Sequence, residues 1–252
     1  MLFRFCCAAC LLVLSVSAGL LPVLAAETST DIERVRQSVA VLLPGVQPDS
    51  IRVTPVANLY EVVVGARLVY VTADGRYLIE GEITDLEQQK NLTVPRLNQV
   101  TAAAIDAIGE PRMLIFEAEG ETRHTLSVFT DIDSAYSRRL QREIGEYTRR
   151  GIRVRYLFFP RAGSGSDSYD KAVAVWCAGD RRQALEREMA GERVESEACD
   201  HPVEQHLALA KRIGISSAPV LVLESGEMLP GYVSAERLMD LLERMKRLQR
   251  DE

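Results

Sequence analysis

The chain has 252 residues, 47% hydrophobic and 26% charged, a balance that suits one or two globular domains with sizeable cores and excludes wholesale disorder. With 30 Lys and Arg against 36 Asp and Glu the net charge is -6, so there is no electrostatic footprint for nucleic acid.

The first residues read as a secretory leader. Arg4 supplies a positive end, Cys6 to Leu24 is an apolar run broken by small residues, and Val23-Leu24-Ala25 suits leader cleavage. Residues 1–26 are therefore expected to be removed on export. A stable membrane anchor is not expected, because Ser15, Ser17, Gly19 and Pro22 interrupt the run and no basic stop-transfer cluster follows. Cys7-Ala8-Ala9-Cys10 looks like part of a lipid-attachment box but lies too early for an apolar segment to precede it. Cys6, Cys7 and Cys10 thus leave with the leader. The leader holds one basic and no acidic side chain, so export makes the charge slightly more negative.

Residues from about 28 to 86 read as one short helix with Ile32, Val35, Val39 and Leu42 on a face, then strands over 51–56, 59–64, 68–71 and 77–81. Ala73-Asp74-Gly75-Arg76 marks a hairpin turn. So small a unit, with a thin helix and a curved sheet, is expected to need a partner for its edges, and dimerisation is the natural solution. Leu97, Val100, Ala104 and Ile108 then recur at helical spacing over 95–108, ending at the breaker Gly109-Glu110-Pro111. This is a candidate linker helix.

The rest alternates element types. Strands are expected over 113–118 and 126–130, then a helix with Tyr136, Leu140, Ile144 and Tyr147 on one face, then a strand over 152–158. Helices follow over 169–176 and 203–213, a strand over 220–223, a turn at Ser225-Gly226, a short strand ending at Tyr232 and a last helix over 235–248. This order predicts an α/β domain with a mixed sheet. Arg138, Arg139, Arg142, Arg149 and Arg150 form a local basic patch, but Glu143 and Glu146 are interleaved with them, as on a solvated helix face.

Once the leader is gone, only Cys177 and Cys199 remain, an even number in an oxidising compartment, and they are expected to pair. A closed loop of this size would contribute about 3 kcal/mol. The alternative, a metal site, has only His201 and His206 nearby and would need more ligands. No metal and no cofactor are expected.

One tract stands out: Phe129-Thr130-Asp131-Ile132-Asp133-Ser134-Ala135-Tyr136-Ser137, an apolar strand running into an amphipathic helix. It resembles the site of bacterial disulfide isomerases of the DsbC and DsbG type, where Cys-X-Tyr-Cys stands in place of Ser-Ala-Tyr-Ser. Other motifs agree in order. Phe158-Phe159-Pro160-Arg161 is similar to the close of their second core strand, Trp176-Cys177 with Cys199-Asp200 to their structural disulfide, and Ile215-Ser216-Ser217-Ala218-Pro219-Val220 to the segment carrying their cis-proline. The family often has a hydroxyl side chain where Ala218 stands.

The resemblance spans the mature chain and implies its architecture. A cystatin-like α+β N-terminal dimerisation domain over 27–88 would be joined by a linker helix over 89–110 to a thioredoxin-like α/β domain with a helical insertion over 111–252. It places Ser134 and Ser137 at the redox cysteine positions, Tyr136, Ala218 and Pro219 at the substrate surface, and Cys177 with Cys199 in a structural disulfide. Disulfide exchange needs a thiolate and a resolving thiol, which serine hydroxyls cannot supply. Both serines are well suited to helix capping instead.

The expected function is therefore a periplasmic homodimer that binds unfolded or misfolded proteins without redox turnover. The alternative is a dedicated periplasmic binding protein for one partner, without enzymatic activity. Hydrolysis at Ser134 would need a base and an oxyanion hole. His124, His201 and His206 stand in no triad context, and Gly163-Ser164-Gly165-Ser166 is not a nucleophile elbow.

Overall fold

The computed structural model describes residues 21–251, so most of the expected leader lies outside the described residues. Helix α1, Leu21–Leu42, precedes an antiparallel meander of β1 Ser50–Val53, β2 Leu59–Val64, β3 Arg67–Thr72 and β4 Leu78–Ile79, in the order β1-β2-β3-β4. Alternation along β2 and β3 turns Tyr60, Val62, Val69 and Val71 to one face, where Val35 and Val39 of α1 cover them. Leu42, expected on that buried face, is exposed and lines an open cavity beside Val71 and Leu78. The first strand also stops earlier than expected. Thr54 Oγ1 accepts the Val56 N–H at 3.2 Å and donates to Leu59 O at 2.8 Å, turning the chain toward β2.

A small hairpin, β5 Thr84–Asp85 with β6 Lys90–Asn91, straddles the boundary expected at 88/89, so the linker segment begins as a strand. Asp85 Oδ1 accepts the N–H groups of Glu87 and Gln88 at 2.9 Å and tightens its turn. The linker helix itself is α2, Thr93–Asp106. Asn91 Oδ1 accepts the Thr93 and Val94 N–H groups, which satisfies donors that the helix start leaves unpaired. A 3-10 turn, Glu110–Arg112, follows Gly109, whose φ of 81° ends the helix.

The second domain contains β7 Leu114–Phe116, β8 His124–Thr130, α3 Ala135–Arg142, α4 Ile144–Arg149, β9 Ile152–Phe158, α5 Asp167–Cys177, α6 Arg181–Ala190, α7 Val203–Arg212, β10 Val220–Val222, β11 Met228–Pro230 and α8 Ala235–Asp251. Its sheet has the order β11-β10-β8-β9-β7, with β8 and β9 parallel and the other pairings antiparallel. Each strand serves two cores. Val128 and Tyr156 face a cluster with Leu140, Tyr147, Val175 and Leu185, whereas Phe129 and Leu157 face one with Ile105, Leu207 and Ile215. Among the described residues no helix is long and apolar enough to cross a membrane.

Two expectations need correction. The helix expected through residues 136–147 is two helices, interrupted at Glu143 (φ -100°, ψ 9°), and Tyr136 is not on its buried face. Tyr136 is 62% exposed, because the first turn of α3 stands beyond Thr130, where the strand beneath it has ended. Helix α6 was not expected: its surface is nearly all polar, and only Ala184, Leu185, Glu188 and Met189 are buried. Its ends carry the signal that periodicity lacked. Asp180 accepts the N–H groups of Arg182 and Gln183 at 3.1 Å, and Gly191 is left-handed at the other end.

Candidate functional site at the start of helix α3

Strand β8 delivers the chain to the sheet's end, and a turn closed by Ser134 N–H to Asp131 O at 3.0 Å sets the next helix. Ser134 is the N-cap of α3, in the extended conformation such a residue requires (φ -77°, ψ 124°). Its Oγ accepts the Ser137 N–H at 3.3 Å and donates to Ala218 O at 2.8 Å. The Ala218–Pro219 peptide is cis, and Pro219 O accepts the Gly231 N–H at 2.8 Å, so β11 holds this loop from the far side. Ser134, Ala218 and Pro219 thus come together. Ser137 is buried a turn behind, its Oγ accepting the Asp131 N–H at 3.4 Å, a marginal hydrogen bond.

Tyr136 presents its ring to solvent on the same first turn. Around it the charges are paired. Asp133 bonds Arg138 Nη2 at 3.0 Å and Lys171 Nζ at 2.9 Å, and Arg138 Nε also donates to Ile132 O at 2.9 Å. Arg139 pairs with Glu143, and Arg149 and Arg150 pair with Glu146, so the basic patch is a solvated face with its counter-charges supplied.

Beneath the surface lies a network whose members the sequence carries in separate tracts. Asp131, only 3% exposed, accepts the Ser168 hydroxyl at 2.7 Å and the Asp133 N–H at 2.9 Å on one oxygen. The other oxygen accepts Arg161 Nε at 2.8 Å and the Arg161 N–H at 3.1 Å. Burial alone would raise its carboxyl, but these hydrogen bonds outweigh it and hold the group below the usual carboxylate range. The network ties β8, the loop after β9 and the start of α5 into one frame for α3. Both halves of the ion pair stand in tracts singled out above, Phe129-Thr130-Asp131 and Phe158-Phe159-Pro160-Arg161; nothing in either shows that they meet.

Cys177 and Cys199 are joined in a disulfide with Cα atoms 5.7 Å apart, so neither sulfur is a free thiolate for a metal. The bond lies at the opposite end of α5 from Ser168, roughly 14 Å along the helix axis. It closes the segment that contains α6. His206 is fully buried, its Nδ1 accepting the Phe158 N–H at 3.1 Å and its Nε2 paired with Arg112 O at 2.8 Å. Burial pushes it down to about 4, the Arg112 carbonyl opposing, so it is neutral and structural. His201 packs edge-on against Tyr169, and His124 lines a groove with Glu224 and Lys246. Ser134 Oγ bonds Ala218 O and the Ser137 N–H, and none of the three histidines.

Two families match the chain: a disulfide bond isomerase protein N-terminal domain over residues 24–94 and a thioredoxin-like domain over residues 112–246. The thiol:disulfide interchange protein DsbC of Salmonella typhimurium is 35% identical over 213 residues, 84% of this chain and 87% of that protein. The protein of the same name from Escherichia coli is 32% identical over 218 residues, 86% of this chain and 90% of that one. Among solved structures, a disulfide interchange protein from Neisseria gonorrhoeae aligns over 54% of this chain and 96% of its own, with 27% identity and a TM-score of 0.48.

Proposed function

This chain belongs to the DsbC family of thiol:disulfide interchange proteins, and from that premise we propose that it acts in the periplasm as a dimeric chaperone without redox turnover. On this reading the leader, 1–26, is removed, 27–88 form the dimerisation domain, 89–110 the linker and 111–252 the peptide-binding domain. Ser134 and Ser137 occupy the positions of the family's redox pair. A hydroxyl cannot form a mixed disulfide, so thiol exchange has no entry point there.

The observation that carries the reading is the contact between Ser134 Oγ and Ala218 O beside the cis Ala218–Pro219 bond. It sets the capped start of α3 against a strand-leading loop, the arrangement that backbone pairing with an extended peptide requires. Ala218 O keeps a second lone pair for such a peptide, and Tyr136 offers an aromatic face next to it. Dimerisation is supported by an apolar surface on the N-terminal sheet. Val41, Leu42, Tyr77, Leu78 and Ile79 are 40% exposed or more, and the first four line a cavity of about 420 Å³. Two peptide surfaces on one dimer would bind an unfolded chain with avidity.

The test is a paired assay on the mature protein: suppression of aggregation of a cysteine-free unfolded substrate beside reactivation of one with scrambled disulfides. Suppression without reactivation is expected. Reactivation by the unsubstituted protein overturns the reading, and failure of both favours a dedicated partner. The double variant Ser134→Cys with Ser137→Cys is expected to gain reactivation.

A further inference from the structure

A groove of about 380 Å³ lies between the first two strands, helix α2 and the end of α7, and no part of the α3 site lines it. Arginines reach it from three directions. Arg52 comes from the edge strand β1, Arg96 from α2, and Arg212 is the last residue of α7. Arg96 is already held in place: its Nε donates to Glu61 at 2.8 Å and its Nη1 to Gln99 at 3.0 Å, and the side chain is only 19% exposed. This leaves Nη2 to donate elsewhere. Arg212 lies across the β2–β3 turn, where Gly65 has φ +61° and a Cβ would stand 3.6 Å from Nη1. Arg52 and Arg212 are exposed and form no ion pair among the described residues.

The nearby acids are engaged. Asp49 Oδ2 accepts the Gly65 N–H, and Glu61, opposite Arg52 in the β1–β2 ladder, takes Arg96. Three guanidinium groups against two carboxylates leave one positive charge, the complement of a single carboxylate. A guanidinium fork also matches that partner in geometry, and an arginine whose rotamer is already fixed loses less freedom on binding. The walls are partly apolar. Val63, Val100 and Ala103 line the groove, the last two on one face of α2 with Arg96, and they suit small aliphatic neighbours of the acid. The chain as a whole has a net charge of -6, so attraction for an acid has to come from this local set.

We propose that this groove is a second binding site for client chains, one that takes an acidic residue flanked by small aliphatic side chains, with Arg52, Arg96 and Arg212 around its carboxylate. The inference rests on the proposed chaperone role and names a class of segment that backbone pairing at α3 does not select. A client held at both places is bound with avidity.

The experiment is calorimetric titration of the mature protein with a capped pentapeptide, Ala-Val-Asp-Val-Ala, and with the same peptide carrying Asn or Lys in place of Asp, beside the aggregation assay above. The Asp peptide should bind about 10-fold more tightly than the Asn peptide, the scale of a charge-assisted hydrogen-bonded pair, and the Lys peptide more weakly than either. Arg52→Gln and Arg212→Gln should each cut the Asp-over-Asn ratio about threefold or more, with circular dichroism confirming folded protein. Added salt should cut it as well. Equal affinity for the Asp and Asn peptides overturns the proposal, as do binding of neither and a preference that survives both substitutions. Any of these with aggregation still suppressed leaves the chaperone reading standing. An Asp preference without suppression does the reverse, keeping the carboxylate site and removing the chaperone.

Discussion

The two domains solve the problem of burial differently. The N-terminal sheet is covered on one face by α1, and its core is Val35 and Val39 against Tyr60, Val62, Val69 and Val71, while Val41, Leu42, Tyr77, Leu78 and Ile79 stay in water nearby. The thioredoxin-like domain covers both faces of its sheet, with fully buried Tyr147, Tyr156, Phe129 and Phe158. One unit leaves apolar surface for something else to cover; the other is complete. Losses in the complete domain should therefore be independent of protein concentration, and losses at the open patch should depend on it.

The largest effect is expected in the complete domain. Phe129 lies near the end of β8, the central strand of its sheet, wholly buried, and Phe129→Ala should cost about 3–5 kcal/mol by emptying a space the sheet cannot close. Urea denaturation should return the same loss at low and high protein concentration. A concentration-dependent loss would show that this domain, too, relies on assembly.

The next effect is pH dependence through His206. The folded protein holds the imidazole neutral, at about 4, against an ordinary value of 6.5, so the unfolded chain takes up a proton first. Its contribution is fully present above about 6.5 and is lost progressively as pH falls toward 4, a total of roughly 3 kcal/mol. Denaturation midpoints between pH 7 and pH 4 should show this loss. His206→Gln, which can still bond Arg112 O, should flatten that part of the profile; an unchanged slope would place the proton uptake elsewhere.

The difference between the domains also governs how much was legible in the sequence. Strands β2 and β9 are readable to the residue, because alternating or continuous β-branched runs between turn residues leave no other element to form. The expected fold class holds for the same reason, since the order of elements constrains the sheet. Helix α6 escaped because it buries one edge against larger neighbours and needs little apolar periodicity. The break at Glu143 escaped because both halves keep their apolar residues in phase. At the site, Ser134 was visible as a cap, but the Asp131–Arg161 pair was not. Partners 30 residues apart meet only once β8 and β9 lie parallel.

At the open patch, Leu42→Asp or Leu78→Asp places a charge on surface that is already exposed in the single chain, 58% and 40% respectively. Little change in the monomer's own fold is expected, because neither residue belongs to the buried core of the sheet. Self-association measured by sedimentation should weaken by about 10- to 100-fold, or about 1.4 to 3 kcal/mol. Equal association by parent and variants would remove this patch as the dimer surface and leave the N-terminal domain's exposed side chains without a role.

The smallest effect is the most discriminating for the site, because two serines one helical turn apart differ in what they hold. Ser134 Oγ caps α3 and also donates to the buried Ala218 carbonyl, whereas Ser137 Oγ accepts a single long hydrogen bond from Asp131. Ser134→Ala should cost about 1–2 kcal/mol, the usual loss of a cap plus a carbonyl left poorly satisfied, and Ser137→Ala should cost less than 1 kcal/mol. Both losses belong to the complete domain and should not vary with concentration. Equal losses would mean that the Ser134–Ala218 contact contributes nothing in solution, and the loop carrying Pro219 would then be held to α3 by packing alone.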